Sequence, residues 1–293
     1  SRFPSESDGK AGTGLLICML TAAELKALLR SRGLRLTKRL GQHHLIDARV
    51  IERIAEAVRL SPGDTVVEIG AGLGALTEPL ARRAGRVIAV EIDRRIAEAL
   101  SERMRPCRNV TVVCQDILRF VWTDVPGAVV VGAIPYQITS PLLVSLSEQR
   151  RAIRRAVLIL QAEVADRLLA HPGTKAYGRL SLLGQYGFEI APLLSVPRSA
   201  FFPQPEVDSR CVALAPRDRA AVPAADEPFF FEVVKQAFSH RRKTLVNCLI
   251  GPGGLPRAEA ETLVAALGLP AAVRGEALSL EQFAALAAAL KRA

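Results

Sequence analysis

The chain has 293 residues, 49% of them hydrophobic, which is ample for a packed core and for one large domain or two smaller ones. No apolar run reaches the length of about 18 residues that a membrane-spanning helix needs, and five scattered cysteines without a C-x-x-C pair exclude a disulfide framework or a zinc knuckle. Lysine and arginine outnumber the acids 39 to 29, and the net charge of +10 fits either a polyanionic partner or plain solubility.

In chain order, residues 1–21 read as an N-terminal extension, disordered or appended to the native chain. Met19 within it opens a natural-looking start. Ala22 to Ser31 carries an amphipathic helix pattern, followed by a basic stretch of Arg30, Arg32, Arg35, Lys38 and Arg39. Ala48 to Leu60 is apolar at helical spacing, and Ser61-Pro62-Gly63-Asp64 is a turn. Strands and helices then alternate: strand Thr65–Ile69, helix Leu76–Arg83, strand Arg86–Val90, helix Arg94–Met104, strands Val110–Cys114 and Ala128–Val131. A helix beginning at Pro141, strand Ala156–Leu160 and helix Glu163–Ala170 continue the rhythm. It predicts an α/β fold: a mostly parallel sheet with helices on both faces. Gln185–Val196 and Arg210–Leu214 are expected to pair antiparallel at one edge. Asp218–Pro228 reads as a linker, so the main domain spans 22–217, the linker 218–228 and a small all-helical domain 229–293. In that last part Phe229–Phe238, Arg242–Leu249, Arg257–Leu267 and Leu280–Lys291 are helical in pattern, with Ser279 as a helix start. Cys114 and Cys211 lie in apolar runs and are expected in the core. The cysteine pattern suits a reducing, cytoplasmic compartment.

Gly70-x-Gly72-x-Gly74 closes the first strand of the alternation. Glycines there let the backbone turn tightly and approach a ligand. The spacing departs from the dinucleotide G-x-G-x-x-G, since Ala75 follows Gly74. Glu91 ends the next strand about 20 residues on, where a carboxylate can accept ribose hydroxyls. Asp116 follows the third strand, where it can accept from an adenine amine. Either S-adenosylmethionine (SAM) or NAD suits this set. The plainer reading of Glu91 and Asp116 is helix N-capping; the three positions together favour a nucleotide site.

Further segments carry a likeness: Lys38-Arg39-Leu40-Gly41-Gln42-His43-His44-Leu45, Val67-Glu68-Ile69-Gly70-Ala71-Gly72-Leu73-Gly74, Ala89-Val90-Glu91-Ile92-Asp93, Gln161-Ala162-Glu163-Val164-Ala165-Asp166-Arg167, Tyr177-Gly178-Arg179-Leu180-Ser181, Phe201-Phe202-Pro203-Gln204-Pro205-Glu206-Val207-Asp208-Ser209 and Phe238-Ser239-His240-Arg241-Arg242-Lys243-Thr244-Leu245. With them the chain resembles the KsgA-type small-subunit rRNA adenine dimethyltransferases, relatives of the Erm resistance methyltransferases. The resemblance implies a Rossmann-like methyltransferase domain with a helical C-terminal domain, and S-adenosyl-L-methionine as cofactor. It implies dimethylation of two adjacent adenines near the end of small-subunit rRNA in the immature small ribosomal subunit, by a protein expected to act as a monomer. By motif position it makes His43, Leu45, Gly70, Gly72, Glu91, Asp116 and Ala133 the cofactor-binding residues.

The catalytic candidates are Ala133, Ile134, Pro135, Tyr136 and Phe201. An adenine amine is a poor nucleophile, because its lone pair is delocalised into the ring. Holding it in line and accepting its hydrogens helps as positive charge develops. The Ile134 carbonyl can accept one hydrogen. The residue before it, usually Asn in this family, accepts the other, but here it is Ala133. Tyr136 can stack on the base and Phe201 can cover its other face. The departure leaves three explanations: an engineered inactivation, a paralogue that binds RNA without methylating it, or a slow enzyme relying on backbone carbonyls. His44, where the family usually has Phe, is a second departure, expected to weaken packing over the cofactor. Neither histidine has a second ligand at metal spacing.

For RNA the candidates are Arg150, Arg151, Arg154 and Arg155, just before the fifth strand, and Arg241, Arg242 and Lys243, opening a helix. The plainer reading of the first cluster is a solvated face paired with carboxylates such as Glu148.

Overall fold

The computed structural model describes residues 21–33, 43–218, 221–223, 226–240, 242–250 and 254–292. The extension up to residue 20, the basic stretch and motif between 34 and 42, and Arg241 lie outside the described residues.

Helix α1 (Ala22–Ser31) starts at a reciprocal cap: the Glu24 N–H donates to the Thr21 hydroxyl and the Thr21 N–H to the Glu24 carboxylate. It buries Leu25 and Leu29. A short strand β1 (His44–Leu45) leads to α2 (Ala48–Ala57), capped by Asp47. The alternation follows: β2 (Thr65–Ile69), α3 (Thr77–Ala81), β3 (Arg86–Glu91), α4 (Arg94–Arg103), β4 (Val110–Cys114), β5 (Ala128–Ala133), α5 (Tyr136–Glu148), β6 (Ile153–Gln161) and α6 (Ala162–Leu169). Then come α7 (Arg179–Gly187), β7 (Phe188–Val196), β8 (Phe201–Phe202) and β9 (Ser209–Pro216). The chain closes with α8 (Glu227–Ala237), α9 (Leu245–Leu249), α10 (Arg257–Ala266) and α11 (Leu280–Leu290). Among the described residues no helix is long and apolar enough to cross a membrane.

Seven strands form one sheet in the order β4-β3-β2-β5-β6-β9-β7, parallel through β6 and antiparallel at β9 and β7. Consecutive residues of the inner strands point to opposite faces and are buried on both. Val129 and Val131 pack with α2 and α3, whereas Val130 packs with α5. Strand β1 pairs with β8, Leu45 opposite Phe201. Helices α8 to α11 share a core with Tyr177, Leu182 and Tyr186, so the helical part seats directly on α7.

Several sequence expectations shift. The fifth helix begins at Tyr136, not Pro141: Pro135 precedes the first turn, and its carbonyl accepts the Ile138 N–H and the Thr139 hydroxyl, each at 3.2 Å. The third helix shrinks to Thr77–Ala81. Gln185 to Gly187 end helix α7 rather than opening a strand, because Gly184 and Gly187 let α7 press against Leu168 and Ser147. Cys114, at the end of edge strand β4, is exposed rather than core, while Cys211 is buried as expected.

The chain runs β2-β3-β4 outward to one side, then crosses back to β5 on the other. The point of reversal lies between the carboxyl ends of β2 and β5, where ligands bind in such sheets. Gly132 allows the two strands to close there. A Cβ on it would sit 2.6 Å from the Ile69 carbonyl oxygen. Gly132→Ala is therefore expected to cost about 1–3 kcal/mol by overpacking, read as a lowered urea midpoint with an unchanged denaturant slope.

Candidate functional site

The loop after β2 is built by conformation. Gly70, Gly72 and Gly74 have φ of 64°, 56° and 89°, the left-handed region that glycine enters without strain. The N–H groups of Gly70 and Ala71 both donate to the Val90 carbonyl, at 2.9 and 3.1 Å, which folds the loop over the end of β3. Gly74 is small for a second reason: a Cβ there would meet Leu100 at 2.8 Å, so the glycine lets α4 pack against the loop.

Glu91 sits beneath this loop. Its carboxylate accepts the Gly72 N–H at 2.9 Å and the Asp93 N–H at 3.0 Å. Burial raises its carboxyl above the usual range, opposed by those two backbone donors. The helix-cap alternative fails here, since Asp93 caps α4 instead. It holds at Asp116, whose side chain accepts the Leu118 N–H at 3.0 Å and opens a single helical turn. Ile92, next to Glu91, is 53% exposed at the same sheet edge. The sequence places it in a matching segment but assigns it no role. An apolar side chain left open at a strand tip between two acids is the signal that marks it.

On the far side of the reversal point, β5 ends at Ala133. A Cβ on Gly70 would lie 3.9 Å from the Ala133 carbonyl oxygen, so the glycine loop and the Ala133–Tyr136 segment face each other. The Ile134 N–H donates to the Ile159 carbonyl at 2.9 Å, which fixes the turn into Pro135. Tyr136 is 58% exposed, unlike the fully buried Tyr177 and Tyr186. A cavity of about 560 Å³ opens beside it, lined by Ala133, Ile134, Pro135, Tyr136, Phe201 and His43 among others. Phe201 is only 5% exposed, so it forms a wall rather than a free lid. The structure thus brings all five catalytic candidates to one cavity. A larger hollow of about 920 Å³ lies elsewhere, between α5, α7 and α8, and holds none of them.

The histidines divide. His43 is exposed on the cavity rim, its Nδ1 2.7 Å from the Pro203 carbonyl. His44 points to the glycine loop: a Cβ on Gly72 would lie 2.8 Å from its ring. Among the described residues its buried Nε2 has no hydrogen-bond partner. Burial first, then His43, pushes its pKa down to about 4, so the ring is neutral near pH 7 and packs as a flat apolar body. Leu45 is core, opposite Phe201. No group of three His, Cys, Asp or Glu side chains among the described residues is placed to hold a metal.

The arginines are distributed differently from expectation. Arg154 and Arg155 lie inside β6, not before it, at the amino-terminal edge of the sheet, opposite the cavity. Arg154 donates to the Asp64 carboxylate at 2.7 Å, and Arg155 to the carbonyls of Val58 and Arg59 at 2.5 Å each. Arg150 donates to the Ser147 carbonyl and pairs with Glu227 at 3.6 Å, not Glu148. These three are spent on internal ties; Arg151 is exposed in the turn before β6. Arg242 and Lys243 are exposed ahead of α9, whose cap is Thr244.

A model of the family described as ribosomal RNA adenine dimethylase matches residues 33–290. The chain belongs to that family. It is 44% identical over 283 residues to the ribosomal RNA small subunit methyltransferase A of Moorella thermoacetica, covering 92% of this chain and 98% of the relative. The protein of the same name from Geobacillus kaustophilus is 42% identical, over 92% and 96%. Among solved structures, a dimethyladenosine transferase from Plasmodium falciparum superposes with a TM-score of 0.70 at 28% identity, over 83% of this chain and 95% of that one. The 23S rRNA methyltransferase ErmE superposes with 0.64 at 31%, over 84% and 99%. The Rossmann-like methyltransferase fold with C-terminal helices is thereby shared with this family of rRNA-methylating enzymes.

One acid of this dimethylase-family chain lies deeper still. Glu68, within β2, is fully buried and accepts the Thr77 hydroxyl at 2.6 Å. Burial pushes its carboxyl up to about 8, against the Thr77 bond and with help from Glu91. A folded carboxyl that holds its proton more tightly than the unfolded one favours the fold fully below 4.5, and that contribution is lost as pH rises through about 8. Glu68→Gln, which keeps an acceptor for Thr77, is expected to flatten the decline of the urea midpoint between pH 4.5 and 8, read by comparing unfolding curves of the two proteins across that range.

Proposed function

We propose that this chain binds SAM at the reversal point and transfers methyl groups to the exocyclic amines of two adjacent adenines near the end of small-subunit rRNA, in the immature subunit. The observation that supports it most is the facing of two elements: the glycine loop over buried Glu91, and the Ala133–Tyr136 segment beside an aromatic-walled cavity.

The residues fit the cofactor. The glycine loop exposes backbone at positive φ where a Cβ would stand in the way. Glu91 keeps lone pairs for ribose hydroxyls beyond its two backbone bonds, Ile92 offers an apolar face to an adenine ring, and Asp116 stands at the next strand tip. Gly70 lies against the Ala133 carbonyl, so a ligand on the loop abuts the cavity. When bound, SAM supplies a methyl group on a sulfonium centre.

The chain's own part is positional. Tyr136, exposed at the cavity mouth, stacks on a flipped-out base, and Phe201 walls the other side. The Ile134 carbonyl, fixed through its neighbouring N–H to Ile159, accepts one amine hydrogen. Ala133 offers a methyl where a second acceptor would be worth about 3 kcal/mol, or on the order of a hundredfold in rate. The reading is therefore of a slow enzyme. Loss of a Cβ-sized polar group leaves the sheet unchanged, because Ala133 still pairs with Ile159.

The RNA is held by charge outside the sheet's amino edge. Arg242 and Lys243 face solvent beside the helical core, whereas Arg150, Arg154 and Arg155 are tied inward.

Radiolabelled methyl transfer to undermethylated small subunits tests this reading. Ala133→Asn is expected to raise the rate at least about tenfold, and absence of transfer by both proteins would leave an RNA-binding assembly factor on the same fold. Replacing Arg242 and Lys243 by Ala is expected to reduce the slope of log affinity against log salt by about 2, with Arg154→Ala leaving it unchanged, measured by filter binding across a salt series.

A further inference from the structure

The far wall of the cavity is polar, and its position follows from sheet register. Ala133 pairs with Ile159 across β5 and β6, and Ile159 pairs with Cys211 across β6 and β9. Ile159 and Cys211 belong to the core cluster that contains Phe201. Residues two positions along a strand share a face. That puts Gln161 and Ser209, themselves register partners, on this same face one step further toward the open edge. Five buried residues, Ala156 to Leu160, precede Gln161, and it alone of that run is exposed. Both Gln161 and Ser209 line the cavity with Ala133, Pro135 and Tyr136.

Gln137, in the first turn of α5, and Ser209, opposite Gln161 on β9, also line the cavity, but neither is carried by the strand that fixes Ile134; the other polar side chains are less firmly placed. His43 Nδ1 is engaged with the Pro203 carbonyl. Gln204 and Glu206 ride on the loop between β8 and β9. Gln161 is carried by the strand whose Ile159 carbonyl also fixes Ile134. One rigid element thus sets both the backbone that accepts the first amine hydrogen and the side chain beside it. Strand-borne groups hold a reacting geometry better than loop-borne ones.

We propose that the Gln161 carbonyl oxygen accepts the second hydrogen of the target amine, in place of the acceptor that Ala133 lacks. This rests on the reading of the cavity as an amine-methylating slot. In the step, the amine lone pair forms the nitrogen–carbon bond while the carbon–sulfur bond breaks and its electrons stay on sulfur. The nitrogen then releases one proton to solvent. Gln161 holds a hydrogen bond through this change and keeps no proton. A consequence separates it from a structural role. The unmethylated amine carries two hydrogens and needs two acceptors. The monomethylated amine carries one, which the Ile134 carbonyl takes alone. Gln161 therefore matters for the first transfer and little for the second.

The test is single-turnover methyl transfer to undermethylated small subunits, with mono- and dimethyladenosine resolved in the digested RNA. It compares the unsubstituted chain, Gln161→Leu, Gln161→Glu, Ala133→Asn and the Ala133→Asn/Gln161→Leu pair. A second readout needs no methyl donor: affinity for an RNA hairpin bearing the target adenines, against one with purine lacking the exocyclic amine. Gln161→Leu is expected to slow the first transfer about tenfold, leaving about tenfold of a well-placed acceptor's worth for Ala133→Asn to restore, and to slow the second by no more than about threefold. It should also abolish the preference for adenine over the amine-less purine. Gln161→Glu, still an acceptor, should retain that preference, and Ala133→Asn should make Gln161→Leu nearly silent. Equal slowing of both transfers, an unchanged first transfer, or the same loss in the Ala133→Asn background would overturn the proposal. If no protein transfers methyl, the methylation reading falls, and the purine comparison still decides whether Gln161 grips the amine.

Discussion

The site depends on how closely two parallel strands approach at their carboxyl ends. Strands β2 and β5 are neighbours in the sheet but not in the chain. Gly132 lets the second press against the Ile69 carbonyl of the first. That contact sets the glycine loop opposite the Ala133 carbonyl. A ligand on the loop and a base in the cavity would then meet across a gap fixed by backbone. Backbone held by a seven-stranded sheet is rigid, which is what in-line transfer requires.

Around this gap the buried acids are managed by backbone donors and by protonation. Glu91 is held by two N–H groups, and Glu68, close enough to feel its charge, is pushed toward the neutral form. Two ionised carboxylates in one dry region would repel. One is held by backbone donors where a polar ligand can meet it, and the other is bonded to Thr77 under the loop. The net positive charge has a similar division of labour. Part of it closes the amino edge of the sheet through Asp64 and the end of α2, and part stays on the surface of the helical region.

Much of this was legible in the chain. Thr65–Ile69 and Val110–Cys114 come out with the bounds that their apolar runs predict, as does α1 at Ala22–Ser31. Periodicity and turn residues are local signals, and these elements obey them. Proline misled at α5: Pro141 looks like a start, yet Pro135 is the residue before the first turn and Pro141 is carried inside the helix. At β6 the arginines lie within the strand, not before it, and meet carbonyls and a carboxylate that the sequence does not reveal. Cys114 misled because an apolar run at a sheet edge has one open side.

The sequence by itself determined the α/β alternation, the glycine loop, the strand-end acids and the alanine before Ile134-Pro135-Tyr136, since each is a matter of residue type and spacing along one strand or turn. Only the tertiary structure decided which acid lies under the loop and which caps a helical turn, that Ile92 is open while Phe201 is a wall, and that Gln161 shares a cavity with Ala133. Those facts follow from strand order and register. Strand β6 is placed beside β5 by packing on both faces of the sheet, not by any signal within residues 153–161.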